Sequence, residues 1–250
     1  MKKSNIDRIG LERWNPITGC TKYSAGCKHC YAERMANKLA SWNNPRYENG
    51  FEFKMHEDLL EKPLKVKKGR KYFVCSMSDL FHENATDEFI LKVFETMNLA
   101  QQHTFMVVTK RAERLIELND RINWSDNIIM GVTIESDKYE FRADLLRQTG
   151  ALHKYLSLKP LLSSLNTLNL DGIDWLLVGG ESGGEAARPV KIEWIRELRD
   201  KSVEANIPFY FRQWGRAENN PDPLDPSIKN VKGGLLLDGQ TWKQLPSVLQ

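Results

Sequence analysis

Six apolar runs rich in β-branched and aromatic residues recur along the chain. They are Lys71–Ser78, Thr104–Thr109, Asn127–Ile134, His153–Leu158, Asp174–Gly179 and Pro208–Gln213. The runs are nearly continuous rather than alternating, the pattern of strands covered on both faces. Most of the intervals between them are helical in period. Asp87–Gln102 carries Phe89, Ile90, Val93, Phe94, Met97 and Leu99 at helical spacing, and Lys110–Asn119, Tyr139–Thr149 and Glu193–Asn206 follow the same rule. Strands alternating with helices imply βα units and a parallel sheet. A shorter strand over Arg13–Ile17, interrupted by Pro16, brings the expectation to six or seven units. The predicted fold is α/β: a partial (β/α) barrel of parallel strands, TIM-barrel-like, with an N-terminal cysteine loop.

The chain of 250 residues, 41% of them hydrophobic, is long enough to build one sizeable core. We expect a single domain over 1–250, with an insertion at 41–70 that breaks the βα alternation. A loop-rich appendage is expected at 216–250, where Asn, Pro, Asp and Gly concentrate. No apolar stretch approaches the roughly 18 residues of a membrane span. The opening Met-Lys-Lys-Ser-Asn-Ile-Asp-Arg lacks the apolar segment of a secretory signal. A cytoplasmic location without a membrane partner is therefore expected. A net charge of +3 is too weak to imply a nucleic-acid partner by itself.

Cys20, Cys27 and Cys30 fall in the run T-G-C-T-K-Y-S-A-G-C-K-H-C-Y-A, spaced C-x6-C-x2-C. In a reducing compartment such thiols serve as metal ligands or stay free, rather than forming disulfides. A closed structural site wants four ligands, whereas three thiolates can hold an iron–sulfur cluster and leave one iron open. Zinc is the rival, with His29, His56, His82 or Cys75 as fourth ligand; free thiols are the third reading. Cys75, in an apolar run, also reads as a small buried hydrophobe.

In a parallel barrel, chemistry collects at the carboxyl ends of the strands. These ends carry Ser76, Ser78 and Asp79; Thr109, Lys110 and Arg111; Thr133, Glu135 and Ser136; Ser157 and Lys159; Gly179-Gly180-Glu181-Ser182-Gly183-Gly184; and Arg212, Gln213 and Trp214. The cysteine loop, following the first strand, belongs to the same face. Each position has a plainer reading. Asp79 reads as a helix N-cap, the glycines as a tight turn, and the charges as surface ion pairs.

The cysteine loop with Tyr31-Ala32, then S-M-S-D-L-F-H, V-V-T-K-R, G-V-T-I-E-S, S-L-K-P-L-L, V-G-G-E-S-G-G-E-A-A-R-P and F-R-Q-W-G, resembles one family over about Trp14–Gly215. It is the phage and prophage three-cysteine-motif family of radical SAM-like proteins. The resemblance implies a [4Fe-4S] cluster held by Cys20, Cys27 and Cys30, with S-adenosylmethionine on the fourth iron. An external electron donor would drive reductive cleavage to methionine and a 5′-deoxyadenosyl radical, which modifies a substrate the resemblance does not identify. The first cysteine gap is three residues longer than the superfamily's commonest C-x3-C-x2-C. On this reading Ser76, Ser78, Asp79, Lys110, Glu135, Ser136, Gly179, Gly180 and Glu181 are the candidate cofactor-binding residues. Asp79 would meet the methionine ammonium, Lys110, Arg111 or Lys159 the carboxylate, Glu135 a ribose hydroxyl or the ammonium, and Gly179–Glu181 the adenine or ribose.

The basic run Lys62–Lys71, with Trp42, Tyr47, Phe51 and Phe53 before it, is a candidate nucleic-acid contact, since cations follow phosphates and aromatics stack on bases. It reads equally as a solvated loop. Two functions of other classes stand beside the radical enzyme: a non-catalytic nucleic-acid-binding protein whose metal only clips the loop, and a zinc-dependent hydrolase.

Overall fold

The computed structural model describes residues 9–182, 186–229, 231 and 233–250. The opening eight residues, and Gly183 and Gly184 of the glycine-rich turn, lie outside the described residues. Seven strands form one sheet in strict chain order: β1 Glu12–Trp14, β2 Lys71–Val74, β3 Thr104–Thr109, β4 Ile128–Thr133, β5 His153–Leu158, β6 Trp175–Val178 and β7 Phe209–Phe211. Every neighbouring pair is parallel. The sheet curls into an open half-barrel with helices around it. The helices are α1 Tyr31–Ser41, α2 Asp87–Leu99, α3 Ala112–Leu118, α4 Phe141–Arg147 and α5 Ile192–Glu204.

Strand alternation divides the core in two. Phe105, Val107, Ile128, Met130, Leu156 and Leu176 face outward and pack under the helices. Of the apolar residues of α2, Phe89, Ile90, Val93, Phe94 and Met97 are buried there, whereas Leu99, at the helix's last position, is exposed. Met106, Ile129, Tyr155, Trp175, Leu177 and Tyr210 face inward and close on Ile9, Leu11 and Leu249. The barrel interior is thus plugged by the two ends of the chain. The Trp175 indole N–H donates to the Gln244 carbonyl at 3.0 Å, and the Phe211 N–H to that of Trp242 at 2.9 Å, tying the tail to the open edge.

Two elements differ from the sequence reading. β1 ends at Trp14, before Pro16, and Ile17–Thr18 turns away to pair antiparallel with Lys54–Met55. β2 ends at Val74 rather than Ser78, because Cys75 takes a left-handed backbone (φ 54°) that breaks the ladder. Cys75 is therefore not in a strand, though it is buried, and burial pushes its thiol up to about 12.

Segment 41–70 consists of short 3₁₀ turns and that two-residue pairing. Segment 216–250 is built of turns and a small antiparallel pair, Leu236–Leu237 with Gln240–Thr241. Buried Asp225 knots the tail by accepting from the Asn220 amide and the N–H groups of Ser227, Leu235 and Leu236. Among the described residues no helix is long and apolar enough to cross a membrane.

Candidate functional site

The cysteine loop lies across the carboxyl ends of the strands. Its entrance is fixed by Gly19, whose N–H donates to the Met77 carbonyl at 3.1 Å, and by the Cys20 N–H on the Phe51 carbonyl at 3.3 Å. Gly19 has φ 76°, and a Cβ there would fall 1.9 Å from the Glu52 carbonyl oxygen, so only glycine fits. Its exit runs directly into α1 at Tyr31, where Ala32 and Ala36 let the helix seat against Tyr47 and Met77. The Tyr31 hydroxyl donates to the Ser76 carbonyl at 2.5 Å.

Three acid–arginine pairs at the strand ends grip the loop from below. After β3, Arg111 is buried and forks between three groups. It donates to Asp79 at 3.3 Å, to Glu83 at 2.9 Å and to the Thr21 hydroxyl at 2.9 Å, and its Nη1 lies 3.7 Å from the Cys20 sulfur. After β4, Glu135 is fully buried. It accepts from the Ser24 hydroxyl and from the Gly26 N–H at 3.0 Å, while Arg142 donates to it at 2.9 Å. After β6, Glu181 accepts from Arg188 through both the backbone N–H (2.8 Å) and the guanidinium, and Arg188 donates onward to the Ala25 carbonyl at 2.9 Å.

Asp79 is already saturated. Its two oxygens accept from the Phe81 N–H (3.0 Å), the Thr109 hydroxyl (2.7 Å), the Lys110 N–H (3.1 Å) and Arg111. A carboxylate offers about four acceptor sites, so all are taken by the protein. It is not a helix cap either, since Thr86 caps α2 by accepting from the Phe89 N–H. Ser76 and Ser78 likewise bond inward, to Asn15 at 3.1 Å and to the Ile17 carbonyl at 2.8 Å. Ser136 precedes a 3₁₀ turn over Asp137–Tyr139 without capping it by its side chain. A Cβ at Gly180 would fall 2.0 Å from the Trp214 carbonyl oxygen, so this glycine serves close passage of the chain. Lys110, Lys159 and Gly179 line the inner wall.

Two of the candidate fourth ligands for zinc, His56 and His82, are engaged elsewhere. His56 bonds to the Thr18 hydroxyl at 2.8 Å and accepts from Arg46 at 3.2 Å, and burial, then Arg46, lowers its pKa. His82 is fully buried between the Thr21 hydroxyl (3.1 Å) and the Asn84 N–H (3.1 Å), stacked on Phe53 at 4.4 Å. Burial, then Arg111, lowers its pKa, so the ring is neutral and braces the loop. Phe53 and the buried Tyr47 are thus spent on packing, whereas Trp42 is 63% exposed with Lys38 over its ring.

The basic run Lys62–Lys71 precedes β2 and so lies at the opposite end of the sheet from the cysteine loop. Arg70 pairs with Glu12 at 2.6 Å, and Lys71 donates to the Gln250 carbonyl at 3.3 Å.

Cys20, Cys27 and Cys30 are free thiols, each half-buried. Burial, with Asp79 beside it, pushes Cys20 up to about 11 against the opposing pull of Arg111. The thiol is protonated near neutrality and must release its proton on binding a metal. Among the described residues no three His, Cys, Asp or Glu side chains converge as the ligands of a single ion would. The donor set is three soft sulfurs on one short loop, which fits an iron–sulfur cluster.

Sequence reasoning missed Arg142 and Arg188 as functional positions. Neither sits at a strand end, and only the partners Glu135 and Glu181 reveal them.

A parallel half-barrel with a thiol-bearing loop clamped across the carboxyl ends of its strands defines the class of protein. The chain belongs to the DUF5131 family, described as proteins of unknown function, which it matches over residues 4–246. No curated protein matches it. Among solved structures, a spore photoproduct lyase complexed with dinucleoside spore photoproduct is similar at a TM-score of 0.46 and 13% identity. The similarity covers 75% of this chain and 59% of that one, so the chain spans about three-fifths of the lyase's length.

Proposed function

We propose that the chain is a cytoplasmic iron–sulfur enzyme of the radical SAM type. The observation that carries this reading is the cysteine loop itself. It presents three thiols with no fourth on the loop, over the strand ends where barrel enzymes work. Cys20, Cys27 and Cys30 would hold a [4Fe-4S] cluster. When bound, the cluster with S-adenosylmethionine supplies one-electron chemistry, using an external donor. The chain's own residues position it. Arg111 with Asp79 and Glu83 fixes the Cys20 end, Glu135 with Arg142 fixes the middle, and Glu181 with Arg188 holds Ala25. The saturated network supports placing Asp79 and Glu135 as clamps on the loop rather than as contacts to S-adenosylmethionine. Lys110 and Gly179, on the inner wall, remain candidates for contact with it.

The test is anaerobic reconstitution with iron and sulfide. Cys20→Ala, Cys27→Ala and Cys30→Ala should each lose the cluster's visible absorption, while Cys75→Ala should keep it. S-adenosylmethionine added to the reduced protein should shift the electron paramagnetic resonance signal and release 5′-deoxyadenosine. Full iron incorporation in Cys27→Ala would sink the assignment, and a colourless protein loaded with zinc would favour the hydrolase.

A further inference from the structure

The three thiols of the cysteine loop do not share one environment. Among the described residues Cys20 alone has a cation hydrogen-bonded to its sulfur, with Arg111 Nη1 at 3.7 Å from Sγ. Cys27 meets the neutral Ser24 hydroxyl at 4.0 Å, and among the described residues no side chain hydrogen-bonds to the Cys30 sulfur. Arg111 is buried, and each arm of its fork is held. Nε donates to Glu83 at 2.9 Å, Nη1 to Asp79 at 3.3 Å and Nη2 to the Thr21 hydroxyl at 2.9 Å. The Tyr23 ring covers the guanidinium, its centroid 4.8 Å from the central carbon. A planar fork of five donors serves these four acceptors at once, which a lysine ammonium with three donors could not. The fork has no arm left for the carboxylate of S-adenosylmethionine, the role that its place after β3 implied.

The consequence is electrostatic. Reducing an iron–sulfur cluster by one electron adds a negative charge, and hydrogen bonds to the cysteine sulfurs favour that state. A buried guanidinium acts strongly there, because its surroundings screen it less than water would. The two carboxylates on the fork act against it. Asp79 is buried and saturated, whereas Glu83 is exposed over 54% of its side chain and holds the Nε edge, with Nη2 also 2.8 Å from its oxygen. Cys20 lies at the Nη1 arm. One sulfur therefore feels a cation in direct contact and an anion one group further away.

We propose that Arg111 sets the reduction potential of the cluster, raising it through its N–H···S bond to Cys20, with Glu83 as the counterweight. Arg111 acts through Cys20 and is thus a positioning residue, in addition to its grip on the loop. The step it biases is a one-electron reduction. The oxidised cluster gains one electron from the external donor, which is oxidised by one electron, and no bond to the chain forms or breaks. The inference rests on the cluster assignment proposed above.

The test is an anaerobic redox titration of the reconstituted full chain without S-adenosylmethionine. Dithionite supplies the electrons through mediator dyes, and the electron paramagnetic resonance signal of the reduced cluster is the readout. Arg111→Gln should move the reduced-to-oxidised ratio at a fixed potential about tenfold toward oxidised, the loss of one charge-assisted hydrogen bond. For a one-electron couple that is a midpoint lower by about 59 mV. Glu83→Gln should move the ratio the opposite way, toward reduced. Arg111→Lys, which keeps the charge and loses the fork, should fall between Arg111→Gln and wild type. Arg196→Gln, which removes an exposed cation of α5 paired with Asp238, should titrate as wild type. Opposite shifts separate tuning from mere support, since a loosened loop would move both variants alike. If Arg111→Gln does not fold, Glu83→Gln keeps the test decidable. Shifts of the same sign in Arg111→Gln and Glu83→Gln, or a wild-type midpoint in Glu83→Gln, overturn the inference and leave the cluster assignment standing. A wild-type chain that takes up no iron overturns the cluster assignment and this inference with it, so the two failures are distinguishable.

Discussion

Glu83 shows how single side chains hold the cysteine loop. Burial pushes its carboxyl up, but the Thr21 hydroxyl and Arg111 outweigh that and leave its pKa at about 2, against an ordinary value of 4.5. A carboxylate with a depressed folded pKa stabilises the folded state above its unfolded pKa, and the contribution fades as pH falls toward the folded one. The Glu83 clamp is therefore present above about pH 4.5 and lost by about pH 2. Urea midpoints of wild type and Glu83→Gln should differ near neutrality and converge across that window. A difference independent of pH would break the link between Glu83 and the loop. The sequence marked Glu135 and Glu181 as strand-end carboxylates but assigned them to a cofactor. Their arginine partners, Arg142 inside α4 and Arg188 in the turn before α5, become visible only when the chain folds back. For Glu135 and Arg142 the pair is buried on both sides, so either residue alone would leave an uncompensated charge in the core.

At the scale of elements, the strands were legible because burial on both faces forces continuous apolar runs. Of the six runs, the first departs most, its strand ending at Val74 where Cys75 turns left-handed, and the last stops at Phe211 rather than Gln213. A run of apolar and small residues carries no mark of a sign change in φ, so the early end of β2 was hidden. The docking of the cysteine loop was hidden for a related reason. It depends on Gly19 meeting the backbone of Phe51 and Glu52, more than thirty positions along the chain, which only the folded structure brings beside it. Gly19→Ala should therefore lower stability by more than the roughly 1–2 kcal/mol of a left-handed L-residue, because the methyl also collides with the Glu52 carbonyl. It should also reduce iron bound per chain on reconstitution. Gly172 offers the contrast, with φ 68° but nothing within 4 Å of its Cβ position. Gly172→Ala should cost only about the torsional 1–2 kcal/mol and leave iron binding unchanged. Equal effects of the two variants on iron would argue against the loop's dependence on this contact.

At the scale of the whole molecule, the half-barrel divides labour between its two ends. The carboxyl ends of the strands carry charges and the thiol loop. The interior below them is sealed by Ile9 and Leu11 from the start of the chain and by Leu245, Val248 and Leu249 from its end. An open parallel sheet exposes its inner face unless something covers it, and here the covering comes from segments with no helical or strand period. The tail reads as a polar appendage because Asn, Pro, Asp and Gly recur along it, and its six leucines show no pattern until the inward row of the strands is known. This division makes the tail a stability element remote from the chemistry. Leu249, fully buried against the interior cluster, should cost about 2–5 kcal/mol when changed to Ala. Leu224, 86% exposed in the same tail, should cost no more than about 0.5 kcal/mol. Urea unfolding measures both. Because the plug lies at the opposite end of the strands from Cys20, Cys27 and Cys30, iron bound per folded Leu249→Ala chain should equal that of wild type. A Leu249→Ala protein that keeps its stability would show that the tail does not seal the barrel.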